Sequence, residues 1–184
     1  AGTFSPNLGS WWLNGGKIGS ALAGSVSSRV MIPLSTDTTN HSLAFWIFAP
    51  GTGTQKAILG RGTTDGGFAV WLDGTNHIQF IHSDVSFTYT LTTSQALTAG
   101  QWYYVVSTYR QTGTFGSVYI NGTLDISGTL TQGVLSTTDP VTLGASYFPG
   151  GGPAYLTAGR LDEVRLYNRE LFAAEIQASY LAVR

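Results

Sequence analysis

Two hydrophobic periods follow one another in residues 159–184, and only a strand running into a helix satisfies both. From Gly159 to Asn168, Leu161, Glu163, Arg165 and Tyr167 alternate with Arg160, Asp162, Val164 and Leu166. Successive side chains of a strand point to opposite faces, so strict alternation assigns the first four to one face and the second four to the other. After Asn168 the spacing lengthens to three and four, through Leu171, Ala174, Ala178 and Leu181, as on one face of a helix. The expected helix starts near Leu171–Ala173 and ends by Ala182.

The rest of the chain reads as strands and tight turns. Apolar segments recur at Arg29–Leu34, Ser42–Ala49, Ala57–Leu59, Phe68–Leu72, Ile78–Ile81, Phe87–Leu91 and Trp102–Tyr109. Ser117–Ile126 is a hairpin around Asn121-Gly122, a pair suited to a type I′ turn with two positive φ angles. With Val141–Gly144 and the closing segment, the count is roughly eleven strands, spaced as in a sandwich. Ala1–Gly24 has no clear period. The 184 residues suffice for a single domain, 1–184, with a sizeable core.

Composition excludes several functions. The net charge is −1 and the only lysines are Lys17 and Lys56, so no basic cluster exists to displace counterions from nucleic acid. No apolar run approaches 18 residues, so no membrane insertion is expected. The absence of cysteine removes disulfides, thiolate metal sites and a cysteine nucleophile. The chain opens Ala1-Gly2, which fits either a trimmed initiator methionine or the end of a signal peptide.

The closing run Gly159-Arg160-Leu161-Asp162-Glu163-Val164-Arg165-Leu166-Tyr167-Asn168-Arg169-Glu170-Leu171, followed by Glu175-Ile176, resembles the C-terminal motif of the laminin-G-like jelly-roll family. Gly16–Leu22 with Val30–Pro33, Leu43–Pro50, Gly100–Val105 and Tyr119–Gly122 resemble other blocks of that family. The resemblance implies an all-β, concanavalin-like jelly-roll sandwich of two antiparallel sheets with one short C-terminal helix. Two positions depart from it. Tyr104 stands where the family commonly has His, and Phe172 where it has a capping Ser; Phe172 is expected to plug the sandwich edge instead.

The fold type includes glucanases, so the carboxylates decide whether hydrolysis is open. Retaining hydrolysis needs two carboxyl groups about 5–5.5 Å apart. Only Glu163, Glu170 and Glu175 exist, all near the end, and no Glu-x-Asp-x-Glu occurs. No catalytic residue is assigned, and a glycoside hydrolase is a distant third reading. His41, His77 and His82 are read as polar strand ends rather than ligands.

The resemblance further implies one structural calcium ion, held by Asp162 with backbone carbonyls of Gly15 and Gly16. The competing reading is that Asp162 only accepts hydrogen bonds from neighbouring amides. Binding residues are sought among aromatics in aperiodic, glycine-rich segments: Trp11, Trp12, Tyr147, Phe148 and Tyr155. Such loops equally suit folding back over an apolar sheet edge.

The expected function is a non-catalytic surface interaction module of glycan-binding or adhesion type. The alternative is a structural virion surface protein, a capsid decoration or fibre component, whose main partner is another protein subunit. Both place the chain outside the cell, at a cell surface or on a virion, contacting a glycan or protein surface, with homo-oligomer formation or assembly on a virion open.

Overall fold

The computed structural model describes residues 12–24, 29–33, 39–61, 67–83, 88–130, 140–147, 153–156 and 158–183. Among them lie strands β1 (Trp12–Asn14), β2 (Ser20–Ala23), β3 (Val30–Ile32), β4 (Asn40–Phe48), β5 (Lys56–Arg61), β6 (Gly67–Leu72), β7 (His77–Ser83) and β8 (Thr88–Ala96). They continue with β9 (Trp102–Arg110), β10 (Phe115–Ile120), β11 (Thr123–Thr129), β12 (Val141–Leu143), β13 (Ala145–Tyr147), β14 (Pro153–Tyr155) and β15 (Arg160–Tyr167), then helix α1 (Ala173–Val183). The strands outnumber the expected eleven because β1 and β2 fall in the aperiodic opening segment, and β13 and β14 form a short hairpin of their own.

Seven strands form one sheet in the order β1-β2-β15-β4-β9-β10-β11, and six form the other in the order β3-β12-β5-β6-β7-β8. Neighbours pair antiparallel, as in β4 with β9 and β6 with β7. The chain thus adopts the expected jelly-roll sandwich with one short C-terminal helix. Leu43, Phe45 and Ile47 of β4 and Val105 of β9 meet Val70, Leu72 and Phe80 of the opposite sheet in one core. Each such side chain contributes about 1.5–3 kcal/mol on burial. Across the open side, Asp125 of β11 accepts the amides of Ser94 and Gln95 of β8, at 2.6 and 3.2 Å, clipping the two edge strands together.

The closing strand breaks the alternation read from its sequence. A bulge lies between Asp162 and Arg165, and Glu163 has φ +49°. One extra residue flips the faces downstream, so Leu161, Val164 and Leu166 all pack on the core. A positive φ at a non-glycine costs about 1–3 kcal/mol. Asp162 offsets it by accepting the Glu163 amide at 2.8 Å.

The helix is likewise turned from its expected face. Ile176, Tyr180 and Val183 pack on the sheet with Leu171, whereas Ala174, Ala178 and Leu181 face outward. Both sets recur at helical spacing, and the stripe with more apolar area is the one buried. Phe172 does not plug an edge: it is 70% exposed. It occupies the N-cap, where its amide donates to Glu175 at 2.9 Å, half of a capping box without the hydroxyl. Arg169 grips the same carboxylate at 2.7 and 2.9 Å. The Arg169 bond, then the Phe172 amide, hold the Glu175 pKa down to about 2.

Two of the three histidines are core residues rather than polar strand ends. His41 and His82 are fully buried on the inner faces of opposite sheets, with ring centroids 5.5 Å apart. His82 also stacks on Tyr109 at 4.0 Å. Neither ring nitrogen of His82 has a hydrogen-bond partner among the described residues. Their aromatic faces are what fit them there; the polar edges are a cost. His77, half-buried, stays at its strand end beside Asp73, 3.4 Å away.

Candidate functional site

The outer face of the seven-stranded sheet is assembled in rows, because β15, β4 and β9 lie side by side in fixed register. Arg160, Phe48 and Trp102 form one row, and Asp162, Trp46 and Tyr104 the next. A third row holds Arg165, Ala44 and Val106. Helix α1 covers the later rows: Trp46, Tyr104 and Tyr180 stack with centroids 5.4–6.3 Å apart. Tyr104 therefore serves as a fastener for the helix. Ser42 ties the approach to that helix, donating to the Arg169 carbonyl at 2.8 Å and accepting the Leu171 amide at 2.9 Å.

The β1–β2 turn covers the middle of the face. Asp162 Oδ2 accepts the Ile18 amide at 2.8 Å, across 144 residues of chain. Gly16 leaves room for this contact, since a Cβ there would stand 2.8 Å from Asp162 Oδ2. The turn then lays the Lys17 ammonium 4.3 Å above the Trp46 ring. Beside it, the Arg160 guanidinium sits 5.1 Å over Phe48 and donates to the Gly15 carbonyl at 3.2 Å. Phe48 and Trp102, both half-buried, meet edge-on at 5.5 Å. Among the described residues neither Lys17 nor Arg160 has a carboxylate partner, whereas Arg110, Arg165 and Arg169 each pair with a glutamate.

This geometry bears on the calcium expectation. Calcium takes about six to eight hard oxygens. Here Asp162 turns one oxygen onto the Ile18 amide and the other onto the Glu163 amide, and Gly15 offers its carbonyl to a guanidinium. Among the described residues no three of His, Cys, Asp or Glu gather to hold a metal. The donors present suit a hydrogen-bonded strut better than a cation cage. Melting should therefore be indifferent to chelator and to added calcium. Asp162→Asn, which keeps one acceptor oxygen, should lower stability by about 1 kcal/mol, the net worth of an ordinary hydrogen bond. A chelator-sensitive melt, abolished by the substitution, would restore the ion.

The sequence-derived aromatics do not converge on this face. Trp11 and Phe148 lie outside the described residues. Trp12 belongs to β1, at the edge of the seven-stranded sheet, while Tyr147 and Tyr155 belong to β13 and β14. That hairpin lies against β5: Ser146 approaches Gly60 on the outer face of the six-stranded sheet. Lys17, Arg160, Phe48 and Trp102 were not singled out by sequence. Trp102 reads as core by default, and only strand register aligns Arg160 with Phe48. The one available signal was Lys17, one of two lysines, beside a glycine turn.

Comparison with known structures agrees with the architecture. The receptor-binding domain of botulinum neurotoxin type G superposes with a TM-score of 0.70 at 20% identity, over 96% of this chain and 45% of that one. A structure of botulinum neurotoxin type C, whose cell entry is dependent upon interaction with two ganglioside molecules, superposes at 0.66 and 13% identity, over 88% of this chain and 42% of that one. The heptameric SAP-like pentraxin of Limulus polyphemus matches at 0.64 and 14% identity, over 87% of this chain and 80% of that one. The chain thus spans less than half the length of the toxin domains. No curated protein matches the chain in sequence. Residues 22–177 match the laminin G-type model of the concanavalin A-like lectin/glucanases superfamily, and with that share of its length covered the chain belongs to that family.

Proposed function

We propose that the chain is a non-catalytic module that binds glycans at an extracellular or cell-surface location. The observation that carries this reading is the state of the glutamates. All three lie on the closing strand or around the helix, and each is committed to an arginine: Glu163 to Arg165 at 2.6 Å, Glu170 to Arg110 at 3.7 Å, Glu175 to Arg169 at 2.7 Å. A glycosidase needs one carboxyl protonated and a second free beside it. Carboxylates each engaged by a guanidinium are not a free pair set to flank a scissile bond. The ganglioside dependence of the type C neurotoxin supports a sugar as partner, by analogy of fold alone.

A glycan array on the intact chain tests the proposal, and retention of at least one saccharide class is the expected result. The double variant Tyr147→Ala/Phe148→Ala should weaken that binding by more than about 1 kcal/mol, the level that separates anchors from neutral contacts. An array with no retained saccharide would overturn the reading.

The outward face of α1 favours a second reading, a subunit of a protein assembly such as a virion surface layer. Phe172, Ala174, Ala178 and Leu181 present apolar surface there without a charge. Sedimentation of the same sample separates the two, since this reading requires a stable oligomer and the first does not.

A further inference from the structure

The two cations on the outer face of the seven-stranded sheet remain unexplained by the fold. Lys17 and Arg160 come from distant parts of the chain, yet both lie over aromatic rings in adjacent rows. A cation over a ring at an exposed site is worth about 0.5–1 kcal/mol, a modest return for two long side chains. Arg160 spends one donor on the Gly15 carbonyl and leaves the rest of its fork uncommitted among the described residues. Beside it the Phe48–Trp102 pair is half-buried, and Ile18 is 50% exposed. Asp162, beneath the turn, has both oxygens taken by amides.

We propose that this shelf, Arg160 and Lys17 set beside Phe48 and Trp102, binds a carboxylate-bearing sugar. The inference rests on the glycan-binding reading and names a ligand class and a second surface for it, separate from the β13–β14 hairpin. The chemistry of each part fits. A planar guanidinium matches a carboxylate through two parallel hydrogen bonds, which an ammonium cannot do. Lys17 supplies a second, orientation-tolerant charge. Trp102, half-buried and inclined to Phe48, adds apolar surface beside the charges for the hydrogen-bearing face of a pyranose. Two cations against one carboxylate leave the shelf net positive in a chain whose overall charge is −1, so an acidic ligand is drawn here rather than elsewhere.

Calorimetric titration of the intact chain with 3′-sialyllactose, lactose and 3′-sulfolactose tests the proposal. Sialyllactose should bind at least about tenfold more tightly than lactose, the effect of one charge-assisted contact. Arg160→Ala should remove that preference, and Lys17→Ala should reduce it. Arg160→Lys, which keeps the charge and loses the fork, should fall between wild type and Arg160→Ala. Melting curves of all variants, and a Trp102→Phe variant that keeps a ring in place, guard against a folding defect. Equal affinity for lactose and sialyllactose, a preference for sulfolactose over sialyllactose, or wild-type binding by the Lys17→Ala/Arg160→Ala double variant overturns the shelf. If glycans are retained by the array but depend only on the hairpin, this inference fails and the glycan-binding reading stands. If no saccharide is retained at all, both fail together.

Discussion

As the pH falls from about 6.5 to 5, the folded chain should lose stability through His82. Burial, then the adjacent His41, hold the His82 pKa well below its ordinary 6.5. Below 6.5 the unfolded chain takes up a proton at this histidine more readily than the folded chain. Unfolding is therefore favoured as acidity rises, and the contribution is complete only above that value. Carboxylates act in a lower window. Glu175 is held at about 2 by Arg169 and the Phe172 amide. Asp73 is lowered too: burial opposes, but the amides of His77 and Thr75 and the Thr75 hydroxyl prevail. Urea titrations at pH 7, 6 and 5 check the slope. In His82→Phe the loss between pH 6.5 and 5 should shrink by the His82 share. Stability at pH 7 should hold or rise, since two buried nitrogens without partners are removed, each costing about 1–3 kcal/mol. An unchanged slope in that variant would show that His82 titrates in the folded state much as it does in the unfolded one.

Among the described glycines, Gly24→Ala should be the most damaging alanine substitution, costing about 3 kcal/mol or more. Gly24 leaves β2 with its amide on the Gly159 carbonyl at 2.9 Å. A Cβ at this position would run into the backbone carbonyl of Leu156. That carbonyl has nowhere to go: the Leu156 amide is fixed on the Gly144 carbonyl at 2.9 Å, and its side chain is fully buried. Gly159→Ala makes the instructive contrast. There the added methyl meets Leu156 Cδ1 at 2.7 Å, the movable end of a side chain, so the expected cost is only about 1–2 kcal/mol. Denaturant midpoints of the two variants decide the matter, and equal losses would mean that the Leu156 backbone yields.

What the sequence revealed follows the physics of each element. Strands β4 and β9 are buried on both faces, one against the opposite sheet and the other under α1, so they read as continuous apolar runs around Trp46 and Tyr104. The Asn121-Gly122 turn was equally legible: its φ angles are +52° and +81°, and Asn121 Oδ1 also accepts the Tyr104 amide at 3.0 Å. Strand β1, at the sheet edge, and its neighbour β2 hid in glycine and serine because at three and four residues they are too short to show a period. The bulge at Glu163 could not be seen, since nothing in the side chain marks a positive φ. Helix α1 is apolar on both stripes, so periodicity found a helix but could not choose its buried face. The cationic shelf was beyond reach for a different reason: Lys17 and Arg160 become neighbours only when β15 takes its place between β2 and β4.

That placement has a consequence for how the chain is made. The place between β2 and β4 in the larger sheet is filled by its last strand, and Ser42 waits for a partner 127 residues later. Synthesis at about 5–20 residues per second leaves β2 and β4 without the strand between them for on the order of ten seconds after they leave the ribosome. During that interval two unpaired strand edges and the Trp46 face lie open, a template for pairing with another nascent chain. Emergence of β15 is then the step that commits the domain to its own fold.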